Sequence, residues 1–185
     1  MNVGEELVSA YLQHVCHCEF VQTNLYTIDT QGEIDVIGIN LKDRKVYVCE
    51  VAVHLTTGLQ YTKNKRPNNI QKLTEKFSRD IEYAKEYFKG YERHFMLWSP
   101  VVKHRKGKQE YDQTNHLKEI EKGIKSKLSV DIEFIVNEKF LACLNSLRKI
   151  AREETADLKS PVMRLLQIEE HLNQHLKKHP PEIAL

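Results

Sequence analysis

The apolar positions in the middle of the chain follow the pattern of a β-hairpin. Residues 34–39 and 46–53 are rich in β-branched side chains, and a polar turn at residues 40–45 separates them. If the loop has two or four residues, Asp35 lies directly opposite Glu50 on one face of the hairpin. A loop of three or five residues would instead turn one of these carboxylates towards solvent, and the pattern alone leaves both registers open.

Both faces of the predicted hairpin are largely apolar, which is typical of central strands that helices cover on both sides. In the first register, Asp35 and Glu50 sit side by side, with Cβ atoms about 5 Å apart. Two carboxylates at this distance repel each other and resist desolvation unless a cation compensates them. A hard divalent cation with oxygen ligands provides that compensation, so this register favours a metal site at Asp35 and Glu50.

Helical and strand patterns alternate around the hairpin. The predicted elements are a helix over 4–15, a strand over 19–28, a helix from Asn68 or Asn69 to about residue 88, a strand over 94–102, a helix over 116–127 and a strand over 130–136. The inward stripe of the second helix consists of Ile70, Leu73, Phe77, Ile81, Ala84 and Phe88. The later strands alternate with helices, as parallel strands do, so we expect an α/β fold with a mixed sheet flanked by helices.

The C-terminal part of the chain has helical patterns only, over residues 139–158 and 161–178. Ser160 and Pro161 are typical of the N-cap and the first turn of a helix. A mainly apolar stripe on the last helix indicates packing in the core or in a dimer; it consists of Val162, Leu165, Leu166, Glu169, Leu172 and Leu176.

Length and composition fit one domain with an appendage. We expect an α/β core over residues 1–138 and a C-terminal helical extension over 139–185, which packs on the core or mediates a homodimer. No apolar run approaches the roughly 20 residues that a membrane-spanning helix needs, and the N-terminus does not resemble a signal peptide. These features predict a cytoplasmic protein with reduced cysteines and no membrane partner.

The net charge of the chain is only +2, so a nucleic-acid partner would have to be held by local basic patches. Two predicted loops offer such patches, and their basic residues are Lys63, Lys65 and Arg66 in one loop and Lys103, Arg105, Lys106 and Lys108 in the other. Basic loops of this kind bind phosphates without reading sequence. The same loops are equally consistent with solvated turns that bind nothing.

Three segments in the first third of the chain carry a family resemblance. They are Gly4-Glu5 with Val8 and Tyr11-Leu12, then Gly32-Glu33-Ile34-Asp35-Val36-Ile37, and then Val48-Cys49-Glu50-Val51-Ala52. This pattern resembles the PD-(D/E)xK nuclease superfamily, and in particular its Holliday-junction-resolvase-like and restriction-endonuclease-like members. The resemblance implies an αβββαβ core, and the order of the predicted elements extends it to about residue 138.

The resemblance also implies a metal site and a function. In such nucleases the carboxylates of Asp35 and Glu50 and the backbone carbonyl of Val51 would hold Mg²⁺ or Mn²⁺, with Glu5 assisting directly or through water. The implied function is metal-dependent hydrolysis of phosphodiester bonds in DNA. Glu33 belongs to the same motif, and the predicted register points His54 towards the site, where it would polarise water or simply make a structural hydrogen bond.

One residue departs from the family pattern, because the motif lysine is replaced by Ala52. Two interpretations follow. In the first, Lys72 or Lys76 on the next helix supplies the missing cation, with the lysines of the preceding loop as weaker candidates. In the second, the fold has lost catalysis and binds nucleic acid or a protein partner. The three acidic positions Glu5, Asp35 and Glu50 favour the first interpretation. A third alternative is an unrelated α/β domain whose acidic hairpin is fortuitous.

Overall fold

A computed structural model of the chain describes residues 2–27 and 32–179. Its strands are β1 (Phe20–Thr27), β2 (Gly32–Asn40), β3 (Lys45–Val51), β4 (Thr62–Lys63), β5 (Arg66–Pro67), β6 (Glu92–Ser99) and β7 (Ile132–Val136). The main sheet has the order β1-β2-β3-β6-β7, and β4 and β5 form a separate short hairpin. β1, β2 and β3 are antiparallel neighbours, whereas β3, β6 and β7 run parallel. The predicted α/β class with a mixed sheet is therefore confirmed.

Helices cover both faces of this sheet. They are α1 (Val3–His14), α2 (Asn69–Tyr87), α3 (Gln113–Leu128), α4 (Glu138–Glu153) and α5 (Pro161–Lys178). α2 and α3 pack on one face around Phe77, Leu97 and Ile120. α1 and α4 pack on the other face around Trp98 and the side chains of β2 and β3 that point that way. Within the described residues, no helix is both long and apolar enough to cross a membrane.

The central hairpin has the register that places the two carboxylates side by side. Its last pair is Asn40 with Lys45, which leaves a loop of four residues. Asn40 stabilises this loop, because its Oδ1 accepts a hydrogen bond from the backbone N–H of Asp43 at 2.8 Å. At the other end, Val36 pairs with Cys49. Asp35 and Glu50 therefore face each other as the next pair, and their side chains point to the other face of the sheet from those of Val36 and Cys49.

Several predicted boundaries differ from the structure. β6 ends at Ser99 and not at residue 102, because Pro100 has no N–H to donate to the sheet. α4 ends at Glu153 and not at residue 158. Ile70, predicted to point inward, is 40% exposed, and its neighbour Asn69 is buried in its place. Ile28, where the predicted first strand ends, lies outside the described residues.

Only part of the predicted apolar stripe of the last helix packs in the core, where Leu166 is buried and Val162 is partly buried. The side chains that α5 buries are those of Met163, Leu166, Gln167 and Glu170, whereas Leu165, Ile168, Leu172 and Leu176 are exposed. Polar contacts decide the orientation: Gln167 Nε2 donates to two carbonyls of the α4–α5 loop, at 2.9 Å each, and Glu170 accepts from Arg152 at 2.6 Å and 2.7 Å. α4 and α5 together pack against α1 through Ala10.

Candidate active site

The carboxylates of Asp35 and Glu50 lie at the edge of the sheet where β2 begins and β3 ends. The backbone pairing of these strands stops at Val36 and Cys49. The next backbone donor of β3, the N–H of Val51, donates instead to Asp35 Oδ2 at 2.7 Å. Asp35 is therefore fixed by the backbone of the neighbouring strand, while Glu50 is only 1% exposed.

Lys76 of α2 reaches both carboxylates. Its Nζ donates to Asp35 Oδ1 at 3.2 Å and forms an ion pair with Glu50 Oε2. The side chain of Lys76 is 16% exposed, so this interaction is largely desolvated. Of the two α2 lysines that the sequence proposes as candidates, Lys72 is exposed and Lys76 is the one placed between the acids.

Burial dominates the electrostatics of this group. It raises the pKa of Glu50 well above the usual range, the nearby Asp35 raises it further, and Lys76 opposes both effects. For Lys76, burial alone would lower the pKa, but the attraction of Glu50 and Asp35 outweighs it and the pKa is raised. The ammonium therefore stays charged at neutral pH and compensates the two acids.

A third acid, Asp80, belongs to this group and is absent from the sequence-based prediction. It lies one helical turn beyond Lys76 and is 0% exposed. Burial is the main cause of the raised pKa of Glu50, and the carboxyl group of Asp80 raises it further. Arg79 donates to Asp80 Oδ1 at 3.2 Å and to the carbonyl of Glu33 at 3.0 Å. An acid in the middle of the apolar stripe of α2 was the signal in the sequence.

Tyr61 is another neighbour of the site that the sequence analysis did not identify. Burial raises the pKa of Tyr61 and the charge of Lys76 opposes this, which places the phenol within the electrostatic reach of Lys76. Its ring also contacts the ring of His54, with centroids 6.3 Å apart. Asn69, which is 2% exposed, accepts from the N–H of Tyr61 at 2.6 Å and holds the loop on α2.

Three other predicted residues take different positions. Glu5 accepts hydrogen bonds from Asn2 at 2.5 Å and from Asn24 at 3.0 Å, and makes no direct contact with the Lys76 group in the described residues. The side chain of Glu33 is exposed, and this residue contributes its backbone carbonyl to Arg79. His54 is exposed at the rim, where it meets Tyr61.

Ala52, which the resemblance aligns with the motif lysine, is buried. It is 2% exposed and lies in the same apolar cluster as Val48 and Leu97, on the face that carries Glu50. Its N–H donates to the carbonyl of Trp98 at 2.8 Å, so the backbone here continues the pairing of β3 with β6. The small side chain leaves the charge of the site to Lys76.

The two basic loops lie next to each other at the same edge of the sheet. The N–H of Leu59 donates to the carbonyl of Val101 at 2.9 Å, and Gln113 Nε2 donates to the carbonyl of Thr57 at 2.9 Å. A cleft of about 200 Å³ between the loops is lined by Gln60, Pro67, Arg105, Tyr111, Gln113 and His116. Six of the seven predicted basic residues are exposed, whereas Lys103 donates to the carbonyl of Thr56 and is half-buried.

Comparisons with known proteins do not place this chain in a family. No protein-family model, no curated protein and no solved structure matches it. Within residues 2–27 and 32–179, no group of three or more His, Cys, Asp or Glu side chains is arranged to hold a metal ion.

Removing the ammonium should make the stability of the protein depend more steeply on the titration of Glu50 than it does in the wild type. In Lys76→Met, Glu50 keeps a raised pKa without a compensating charge, so the folded state binds a proton that the unfolded state releases. The free energy of unfolding should then fall as pH rises from about 5 to 8, by at most about 1.4 kcal/mol per pH unit. Urea denaturation at several pH values measures this slope.

The matched control is the double variant Lys76→Met/Glu50→Gln, which retains Asp80 and removes only the titrating group. Its slope should be smaller than that of Lys76→Met. Parallel pH profiles for the two variants would contradict the assignment of this effect to Glu50.

Proposed function

We propose that this protein is a metal-dependent nuclease of the PD-(D/E)xK type that hydrolyses phosphodiester bonds in DNA. The observation that supports this most strongly is the convergence of Asp35, Glu50 and Lys76 at one edge of the sheet. The lysine comes from α2, which follows the hairpin, and this accounts for Ala52 at the motif position. The nuclease-like αβββαβ core is part of the same proposal.

The donor set fits a hard divalent cation. Asp35 and Glu50 offer carboxylate oxygens, and the Val51 carbonyl follows Glu50 in the chain. In the described residues, Glu50 Oε2 is ion-paired with Lys76 and Oε1 has no hydrogen-bond partner, so Oε1 retains its capacity to accept a ligand. Mg²⁺ commonly uses one or two carboxylates and takes its remaining ligands from water and phosphate, so a third acidic side chain is not required.

Each residue has a distinct part in the proposed mechanism. Asp35, Glu50 and the Val51 carbonyl would hold Mg²⁺ or Mn²⁺, which in such sites polarises the phosphate and neutralises its charge. Lys76 would move from the carboxylates towards the phosphate, where its Nζ can donate to a non-bridging oxygen or orient the attacking water. The family assigns this work to the motif lysine, and Ala52 cannot perform it.

The basic loops supply the proposed contact with DNA. Their exposed cations flank the same edge of the sheet as the carboxylates, and they contact phosphates, which carry no sequence information. The exposed cations are Lys63, Lys65, Arg66, Arg105, Lys106 and Lys108. Lys103 has a smaller part, since its ammonium is bonded to the backbone of Thr56.

A second candidate function is a catalytically inactive module of the same fold that binds nucleic acid or a protein. The observation that favours it is that Lys76 already compensates Asp35 and Glu50 without a metal. In that case the ion pair is purely structural, and the basic loops alone account for binding.

A cleavage assay separates these two functions. Supercoiled, linear, single-stranded and branched DNA are incubated with Mg²⁺, Mn²⁺ or EDTA, and products are separated on gels. We expect metal-dependent cleavage that falls at least 10²-fold in Asp35→Asn and in Lys76→Met, because each removes a group that acts at the phosphate.

The matched control is Lys72→Ala, one turn earlier on the same helix but exposed. It should retain the activity of the wild-type protein to within a few-fold. If no substrate is cleaved while DNA binding persists, the inactive module replaces the nuclease. If Lys76→Met cleaves as well as the wild type, Lys76 does not perform the work of the motif lysine.

The contribution of the β4–β5 hairpin to DNA binding should appear as a weaker salt dependence. In Lys63→Ala/Lys65→Ala/Arg66→Ala, the slope of the logarithm of the DNA association constant against the logarithm of the salt concentration should decrease in magnitude. The decrease should be up to about 1 for each phosphate that the variant no longer neutralises. Fluorescence anisotropy with labelled DNA at several salt concentrations measures it. Lys42→Ala, in the turn at the opposite end of β3, should leave the slope unchanged, and an equal effect of both changes would contradict the assignment.

We also propose that α5 pairs with α5 of a second copy of this chain. Its exposed apolar residues are Leu165, Ile168, Leu172 and Leu176, at intervals that form one stripe along the helix. A dimer also suits a double-strand cut.

The double variant Ile168→Glu/Leu172→Glu should be monomeric where the wild-type chain is dimeric, because it places like charges in the centre of the apolar stripe. Light scattering coupled to size-exclusion chromatography gives the mass directly. Leu55→Glu, at a residue 70% exposed in another part of the surface, is the control and should leave the dimer intact. A wild-type chain that is monomeric at high concentration would disprove the pairing.

A further inference from the structure

The cleft between the two basic loops contains an aromatic side chain that the proposed phosphate contacts do not use. This cleft, called the loop cleft below, has a volume of about 200 Å³. Its lining consists of Gln60 and Pro67 from the segment between β3 and α2, Arg105 and Tyr111 from the segment between β6 and α3, and Gln113 and His116 of α3. Tyr111 is 42% exposed, so part of its aromatic surface is accessible to a ligand.

The buried polar side chains of the loop cleft are bonded within the protein. Both ends of the Gln113 amide are bonded to backbone groups, at 2.9 Å each. His116 Nδ1 accepts from Asn69 Nδ2 at 3.0 Å, and its Nε2 donates to the carbonyl of Glu110 at 3.1 Å. These bonds fix the lining in place, and they leave the recognition of a ligand to the exposed side chains.

The exposed part of the lining is aromatic and cationic. Gln60, Arg105 and Tyr111 are exposed, and further cations of both basic loops flank them. An aromatic ring beside exposed cations is the combination with which proteins bind single-stranded nucleic acid, because bases stack on the ring while cations hold the backbone. Stacking tolerates every base, and this suits a cleft whose buried polar groups are already bonded.

The size of the loop cleft favours a single base. Drug-sized ligands occupy pockets of roughly 300–1,000 Å³. A cleft of about 200 Å³ therefore accommodates a smaller group, such as one nucleobase. A base in a duplex is stacked and paired, and it must leave the helix before it can enter a pocket of this kind. An unpaired nucleotide does not bear that cost.

The loop cleft lies within reach of a strand that crosses the carboxylates. Asn69, which bonds His116 of the cleft, begins α2, and Lys76 follows seven residues later on the same helix. Seven residues span about 10 Å along a helix axis. Nucleotides of B-DNA rise by about 3.4 Å each, so a strand with one phosphate at the acids reaches the cleft within about three nucleotides.

We propose that the loop cleft binds one unpaired nucleobase of the DNA, stacked on Tyr111, while Arg105 contacts the adjoining phosphate. This role rests on the proposed function, and it implies a class of substrate. The substrate is DNA with an unpaired nucleotide close to the bond that is cleaved, as in a single strand, a flap or a branch. A continuous duplex offers no such base.

The test measures binding in EDTA, so it does not depend on a metal or on cleavage. Fluorescence anisotropy compares a short labelled oligothymidylate with a strand of the same length that carries only abasic sites. Both strands present the same phosphates. The wild type should bind the oligothymidylate about 5- to 150-fold more tightly, the usual effect of stacking one base on an aromatic side chain.

Variants of the lining assign this difference to Tyr111. Tyr111→Ala should bind the oligothymidylate about 5- to 150-fold more weakly than the wild type and should bind the abasic strand unchanged. Tyr111→Phe keeps the ring and should stay within about three-fold of the wild type on both strands. Arg105→Ala should weaken both strands alike, because it removes a phosphate contact.

The matched control is Phe20→Ala, at an aromatic residue that is 61% exposed and pairs with Ile39 at the far end of β2. It should change the binding of neither strand. Thermal unfolding of each variant establishes that the protein is folded.

The binding and cleavage assays decide the two proposals separately. If the wild type binds both strands equally, or if Tyr111→Ala weakens both alike, the role of the loop cleft is overturned, and metal-dependent cleavage of DNA would still support the nuclease. If the wild type prefers the strand with bases and Tyr111→Ala abolishes this preference, the loop cleft binds a base. A chain that shows this preference but cleaves no substrate contradicts only the nuclease proposal.

Discussion

The structure depends on one desolvated interaction, the contact of the Lys76 ammonium with the carboxylates of Asp35 and Glu50. An acid as deeply buried as Glu50 is unfavourable without a compensating charge. Compensation requires three elements to meet at one point. β2 and β3 must pair in the register that puts Asp35 beside Glu50, and α2 must lie at the position along these strands that brings Lys76 to both acids. The same arrangement gives the site its charge balance, so the requirements of the fold and of the proposed chemistry coincide.

The hairpin could be predicted from the sequence because its signal is local. Side chains alternate with a period of two, so an even loop length is sufficient to put Asp35 beside Glu50. The choice between Lys72 and Lys76 is not local. Both lie on one flank of the helix, and the position of α2 along the sheet decides which of them reaches the acids. Hydrophobic periodicity does not predict that position. Asp80 was missed for a related reason, since Glu50, its electrostatic neighbour, lies 30 positions away in the chain.

The last helix shows the limit of apolar patterns more clearly. Its boundaries could be predicted, because Pro161 marks its start, but its buried face could not. Gln167 and Glu170 are buried because they satisfy the backbone of the preceding loop and the guanidinium of Arg152. These polar contacts turn the leucines outward. A hydrophobic stripe predicts that another surface covers this face of the helix, but it does not identify that surface.

The anchoring of the loop between β3 and α2 has a consequence for recognition. Asn69 bonds the backbone of Leu59 and Tyr61 and the ring of His116, so this loop, α2 and α3 form one connected unit. A surface held in this way loses little conformational entropy when a ligand binds, because its backbone is already ordered. The β4–β5 hairpin is then preorganised, and a partner must conform to its shape. Under the proposed function, selectivity between nucleic-acid forms would arise from how easily each form bends to meet this rigid surface.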